Sequence, residues 1–277
     1  MEDPAQVAKI EDPQRRALAA HRLIDDYQAA ITEFSRIRRD ALEELMSTGM
    51  NQTQLATLLD VSRSRVSQLL SAGVRPERTF LGTGRLTVAV GTKLEVGRSD
   101  PGSVVSTETF AAYNVLAELA RSVGLDTEYE VVPPPGLVQL NRPNLVVLTS
   151  PRLLPFLSQV LDADPRLRFA QDERGWYLID AESGSEYRSG RESGNSDDYA
   201  YVGRLPRPDG KGTFLYLAGI HAQGTLAAAQ YIADNLPTLF KELKGRRFST
   251  LVKCVVHGTN VATIERITPL YRHEAGA

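Results

Sequence analysis

The sequence predicts an α + α/β protein, a wholly helical N-terminal domain followed by an α/β domain. Three observations carry that expectation. Apolar residues before position 75 recur at helical spacing, and from position 86 strand-like runs alternate with helical ones. Between them "GVRPERTFLGTGRL" holds three glycines and a proline in a mostly polar stretch. The expected boundaries are therefore 1–75, a linker over 76–85, and 86–277, and a chain of 277 residues has room for two domains of ordinary size.

Bulk properties narrow the function classes. With 42% hydrophobic and 24% charged residues the chain can bury a core. Its net charge of −2 gives no global attraction to nucleic acid, so any such binding must be local. Cys254, the only cysteine, lies in the apolar run "STLVKCVVHG", which excludes an intrachain disulfide framework and a cysteine metal knuckle. The start "MEDPAQVAKIEDPQRR" lacks a basic-then-apolar leader pattern, and no run of about 18 apolar residues occurs. The expectation is a soluble cytoplasmic protein with no membrane partner.

From Pro13 to about Thr48, Ala17, Ala20, Ile24, Tyr27, Ile31 and Phe34 recur at alternating steps of three and four, which predicts one long amphipathic helix. The stripe either packs on its own domain or forms the seam of a homodimer. Gly49 ends it as a left-handed cap. "NQTQLATLLDVSRSRVSQLLSA" then reads as two short helices, with Asn51 or Thr53 capping the first and Ser62 the second.

In the second domain "LTVAVG", "TEYEVVP" and "NLVVLTS" read as strands, and "STETFAAYNVLAELARSVGL" and "PRLLPFLSQVL" as helices. "LRFAQDERGWYLIDAE" is a predicted hairpin, and "SGSEYRSGRESGNSDD" a mobile polar loop. "YAYVGRL" and "GTFLYLAG" pair as antiparallel strands around "PRPDGKG", before a helix and the strands "STLVKCVVHG" and "ATIERITPLY". That order predicts a Rossmann-like α/β sandwich.

Two short helices that read DNA need a small residue where they cross and apolar residues inward at the turn and along the second helix. Ala56, Val61, Val66 and Leu69 stand at those positions, supported by Leu55 and by Leu58 or Leu59. "QLATLLDVSRSRVSQLL" thus resembles the helix-turn-helix of sigma-factor region 4 and of phage-repressor-like regulators, over about residues 40–72. It departs from them at Asp60, where glycine usually takes the left-handed turn; Asp tolerates that conformation better than most residues. The resemblance implies that Ser62, Arg63, Ser64, Arg65, Ser67 and Gln68 face double-stranded DNA. Arg suits guanine and Gln adenine, while serines serve bases or phosphates. Arg38 and Arg39, with Arg36, Arg75 and Arg78, are candidate phosphate contacts. The structural alternative is a helical hairpin with a solvated basic face.

Ligands of open α/β sheets gather beyond the carboxyl ends of the strands. Three loops fit that description: "GTKLEVGRSDPGSVVSTET", "LTSPR" at 148–152 and "AGIHAQGT" at 218–225. They contribute Thr92, Lys93, Ser106, Thr107, Thr149, Ser150, Arg152, Gly219, His221, Gly224 and Thr225, with Arg98 as a further cation. Hydroxyls, glycines and backbone amides at helix starts favour anions, so a small anionic, nucleotide-like ligand is expected. Taken singly, the same Ser, Thr and Gly residues are ordinary caps and turns. The element order is also broadly similar to TIR, STING and SLOG-type nucleotide-handling domains, but neither "GxGxxG" nor "GxxxxGK[ST]" is present.

These readings combine into a sequence-specific DNA-binding transcription regulator whose second domain senses the ligand, with no cofactor, metal or catalytic residue assigned. Two alternatives stand beside it. One is a nucleotide-hydrolysing or glycosidic enzyme using Glu108 or Glu118, and the other is a protein-interaction platform contacting RNA polymerase.

Overall fold

The computed structural model describes residues 4–71, 77–97, 99–257 and 260–273. It divides into two compact units, Met1–Arg75 and Pro76–Ala277.

The first unit is helical among its described residues: α1 (Pro4–Val7), α2 (Pro13–Ser47), α3 (Gln52–Leu58) and α4 (Arg63–Ser71). Asp12 caps α2 by accepting from the Gln14 amide, and Pro13 fills its first turn, where a missing N–H costs nothing. Asn51 and Gln54 form a reciprocal capping box at the start of α3. Leu42 from α2, Leu55 and Ala56 from α3, and Val66 and Leu69 from α4 make one buried cluster. The break between α3 and α4 turns on Asp60, which takes the left-handed conformation at φ 53°, and the Val61 amide donates back to the Ala56 carbonyl. Arg39 sits on the same face of α2 as Leu42, is 2% exposed, and pairs with Asp40 and Glu43. It is a packing residue rather than a candidate phosphate contact.

The second unit holds α5 (Arg78–Leu81), β1 (Leu86–Gly91), β2 (Lys93–Leu94), β3 (Ser103–Val104), α6 (Thr107–Ser122), β4 (Thr127–Val132), β5 (Leu145–Leu148) and α7 (Leu157–Leu161). It continues with β6 (Leu167–Asp172), β7 (Gly175–Asp180), β8 (Ser185–Arg188), β9 (Asp197–Pro206), β10 (Thr213–Gly219), α8 (Ala222–Leu243), β11 (Arg247–His257), β12 (Asn260–Arg266) and β13 (Tyr271–His273). The main sheet runs β12-β11-β9-β10-β5-β1-β4, with β13 beside β11. Strands β4, β1, β5 and β10 are parallel neighbours, and β9, β11 and β12 add antiparallel pairs.

Its central strands are buried on both faces, which explains their continuous apolar runs. Val88, Val90, Val146, Leu148, Leu215 and Leu217 pack on one side against α6 and α8. Ala89, Val147, Tyr216 and Ala218 point the other way, toward α7 and residues of β6 and β7. Helices therefore dominate one face only. The second face is closed by α7 and a three-stranded antiparallel sheet, β6-β7-β8.

Three expectations fail in the second unit. The region expected as a linker carries α5, whose Phe80 and Leu81 are buried in the core of the second unit. The Phe80 ring lies 5.9 Å from that of Phe248, and the Arg204 guanidinium stands 4.8 Å above it. Arg204 also donates to the Phe80 carbonyl. Arg78 is buried too and donates to the Thr83 carbonyl, so it is not placed to hold DNA phosphate. The stretch expected as a mobile loop supplies β8 and a 3-10 turn at Gly190–Ser193. Arg188 fixes it by pairing with Asp172 at 2.6 Å and stacking 3.7 Å over the Tyr177 ring. Among the described residues no helix is long and apolar enough to cross a membrane.

Candidate functional site

Two surfaces carry the residues singled out by sequence. On the first unit, Ser62, Arg63, Ser64, Arg65, Ser67 and Gln68 are all exposed, while Val66 and Leu69 turn inward. The helix α4 bears no acidic residue. Ser62 accepts from the Arg65 amide at 3.1 Å and so caps α4. Arg65 reaches Gln68 Oε1 at 3.1 Å, and Arg63 Nε stands 3.5 Å from Gln52 Oε1. These are exposed contacts that water or another polar partner can replace. Arg38 is exposed on α2, whereas Arg36 is tied to Glu33 and Asp40. Arg75 lies outside the described residues.

On the second unit the sheet sets up a cleft. From β1 the chain crosses through α6 to β4 on one side, while β5 and β10 lie on the other, so strand order reverses between β1 and β5. At the carboxyl ends of β1, β5 and β10 a cavity of about 40 Å³ is lined by Gly91, Lys93, Ser106, Thr109, Thr149, Ser150, Arg152, Gly219, His221 and Thr225, among others. All three nominated loops contribute to it. Thr92, Thr107 and Gly224 lie outside its lining. Arg98 is outside the described residues.

The hydroxyls there do different work. Ser106 Oγ caps α6 by accepting from the Thr109 amide at 3.1 Å and also bonds Thr109 Oγ1. Thr225 Oγ1 accepts from the Gly219 amide at 2.9 Å and closes the corner between β10 and α8. Thr149 is different: it is 3% exposed, and its Oγ1 is buried without a hydrogen-bond partner.

Glycine is required at this corner. A Cβ at Gly219 would lie 2.2 Å from the His221 carbonyl oxygen, and one at Gly224 would meet the Tyr199 carbonyl oxygen at 2.7 Å. Gly91 has the same constraint, since its Cβ would fall 2.1 Å from Thr149 Oγ1.

Electrostatically, the start of α8 already holds an internal carboxylate. Asp198 Oδ2 accepts from the Gly224 amide at 2.8 Å and from the His221 amide at 3.2 Å. Burial pushes the Asp198 carboxyl above its ordinary value, against the pull of the His221 ring and of the Tyr199 and Gly224 amides. This helix start is thus not a vacant anion site. Two cations also border the cleft: Arg152 Nη1 is 3.3 Å from His221 Nδ1 at the start of α8, and exposed Lys93 stands on β2. Because arginine only donates, His221 Nδ1 is the acceptor. Glu108 Oε1 accepts from Gln223 Nε2 at 2.8 Å, which links the first turns of α6 and α8, while Glu118 is exposed further along α6.

Sequence reasoning missed Asp198, Thr109 and Gly91. Asp198 had no local signal, because its partners lie more than twenty residues away across the β9–β10 hairpin. No known protein family, curated protein or solved structure matches this chain.

Proposed function

We propose that this chain is a sequence-specific DNA-binding transcription regulator whose α/β unit senses a small anionic ligand. The observation that carries the first half is the α3–α4 pair. Leu55, Ala56, Val66 and Leu69 hold the two helices together, and the opposite face of α4 offers two arginines, serines and a glutamine with no acid among them. That is the residue set of a helix-turn-helix reading major-groove edges and phosphates. Arg63 and Gln68 are the base-reading candidates.

The second half rests on the cleft, where three strand ends bring hydroxyls, Arg152 and Lys93 together at the reversal of strand order. For ligand binding to act as regulation, the ligand must favour one of two states that differ in DNA affinity.

A homodimer fits this reading, because paired recognition helices read half-sites about one helical turn apart. Its proposed seam is the stripe on α2, where Ile24, Ile31 and Phe34 are 53%, 64% and 70% exposed. The test of the DNA reading is selection of bound duplexes from a random pool. Replacing Arg63 and Gln68 with alanine should lower affinity for the enriched site by about 1–3 kcal/mol per true base contact. Unchanged affinity and unchanged preference would overturn the assignment.

A further inference from the structure

We propose that the cleft between β1 and β5 binds one phosphoryl group, with the Thr149 hydroxyl and the Arg152 guanidinium as its principal partners. This rests on the ligand-sensing reading above and narrows it. The cavity of about 40 Å³ has room for a few water molecules. It lies far below the roughly 300–1,000 Å³ of sites that enclose drug-sized ligands. A whole nucleotide therefore does not fit inside, but a phosphoryl group does, with the remainder of its carrier left in solvent.

Buried hydroxyls in folded proteins are almost always hydrogen-bonded. Thr149 Oγ1 is buried in the cleft wall with no partner, while the neighbouring hydroxyls of Ser106 and Thr225 are both engaged in local structure. Gly91, which also lines the cleft, makes room for this side chain, since a Cβ there would fall 2.1 Å from Thr149 Oγ1.

Donor availability decides where the anion sits. Asp198 already occupies the Gly224 and His221 amides at the start of α8, so those donors are not open to a second acceptor. Arg152 gives one nitrogen to His221 and has further donors in its fork for an oxyanion. The Thr149 hydroxyl donates its proton to one phosphoryl oxygen.

The experiment uses the full chain, titrated with inorganic phosphate, ribose 5-phosphate, AMP and adenosine, and read by thermal shift and calorimetry. Inorganic phosphate, ribose 5-phosphate and AMP are expected to bind, and adenosine is not; a stronger response to the esters than to inorganic phosphate identifies a phosphorylated metabolite as the source. Thr149→Val should weaken phosphate binding by about tenfold or more, with a melting temperature in the absence of phosphate no lower than that of the wild type. Thr149→Ser should restore binding, and Arg152→Lys should weaken it because the fork is lost. Equal phosphate affinity in Thr149→Val overturns the inference and leaves anion sensing intact, whereas a response to adenosine without one to phosphate overturns both. If none of the four shifts the protein, both readings fall.

Discussion

The corner between β10 and α8 gives the sharpest stability prediction. In Gly219→Ala the added Cβ would lie 2.2 Å from the His221 carbonyl oxygen, 2.4 Å from the Thr225 nitrogen and 2.6 Å from the Gly224 carbonyl carbon. All three are backbone atoms of the first turn of α8, so no flexible side chain can swing aside. Overpacking a tight site costs about 1–3 kcal/mol, and contacts this short against fixed backbone place the variant at the top of that range. For a unit of this size each kcal/mol moves the midpoint by about 2–4 °C, so the expected loss is about 6–12 °C. Trp176 is the only tryptophan and lies on β7, so its fluorescence follows the melting of the second unit alone. Gly245→Ala, where nothing stands within 4 Å of the added carbon, is the control and should melt like the wild type. A Gly219→Ala midpoint within about 2 °C of the control would refute the close-packing argument.

Other perturbations test separate parts of the structure. Asn51→Ala removes the side chain that accepts from the Thr53 and Gln54 amides, and should destabilise the first unit by about 1 kcal/mol in urea unfolding followed by circular dichroism. Asp198 has its folded carboxyl raised above 3.8, so the folded state binds the proton more tightly than the unfolded one. Its contribution is fully present below the ordinary carboxyl value and is lost as pH rises through the folded value. Asp198→Asn should therefore remove a fall in stability between about pH 4 and the raised value, read as a shallower decline than that of wild type. Cys254 is buried and its thiol pushed up to about 12, chiefly by burial, so it should resist maleimide at pH 8 until the protein unfolds. Light scattering should show a dimer for the wild type if α2 carries the proposed seam, and a monomer when Ile31 and Phe34, both exposed on α2, are replaced by glutamate.

The elements that sequence made legible are those written in local periodicity. The long helix α2, the paired strands β9 and β10, and the buried strands β1 and β5 lie within a residue or two of their expected places. Convergence of the three loops was also legible, because strand-then-helix order brings such loops to one edge of a parallel sheet. What escaped depends on contacts distant in sequence. Phe80 and Leu81 read as isolated apolar residues in a polar linker, and only packing into a core distant in sequence, with Phe248 and Arg204 against Phe80, buries them. Strand β8 is polar in sequence, and its place rests on the Arg188–Asp172 pair and the Tyr177 ring. Arg39 looked like one member of a basic face, but it lies three residues before Leu42 and shares its buried side. Among the hydroxyls, composition alone did not separate Thr149 from Ser106 and Thr225, since the difference lies in which already have partners.

The central claim is that the outward face of α4 reads DNA sequence. The most direct measurement is selection from a random duplex pool by the full chain, run beside the Arg63→Ala/Gln68→Ala variant at two salt concentrations. The account predicts that wild type enriches one motif with salt-sensitive affinity, and that the variant, folded to the same extent, loses preference within that motif. Failure of wild type to enrich any sequence, or enrichment of the same motif by the variant, would contradict it.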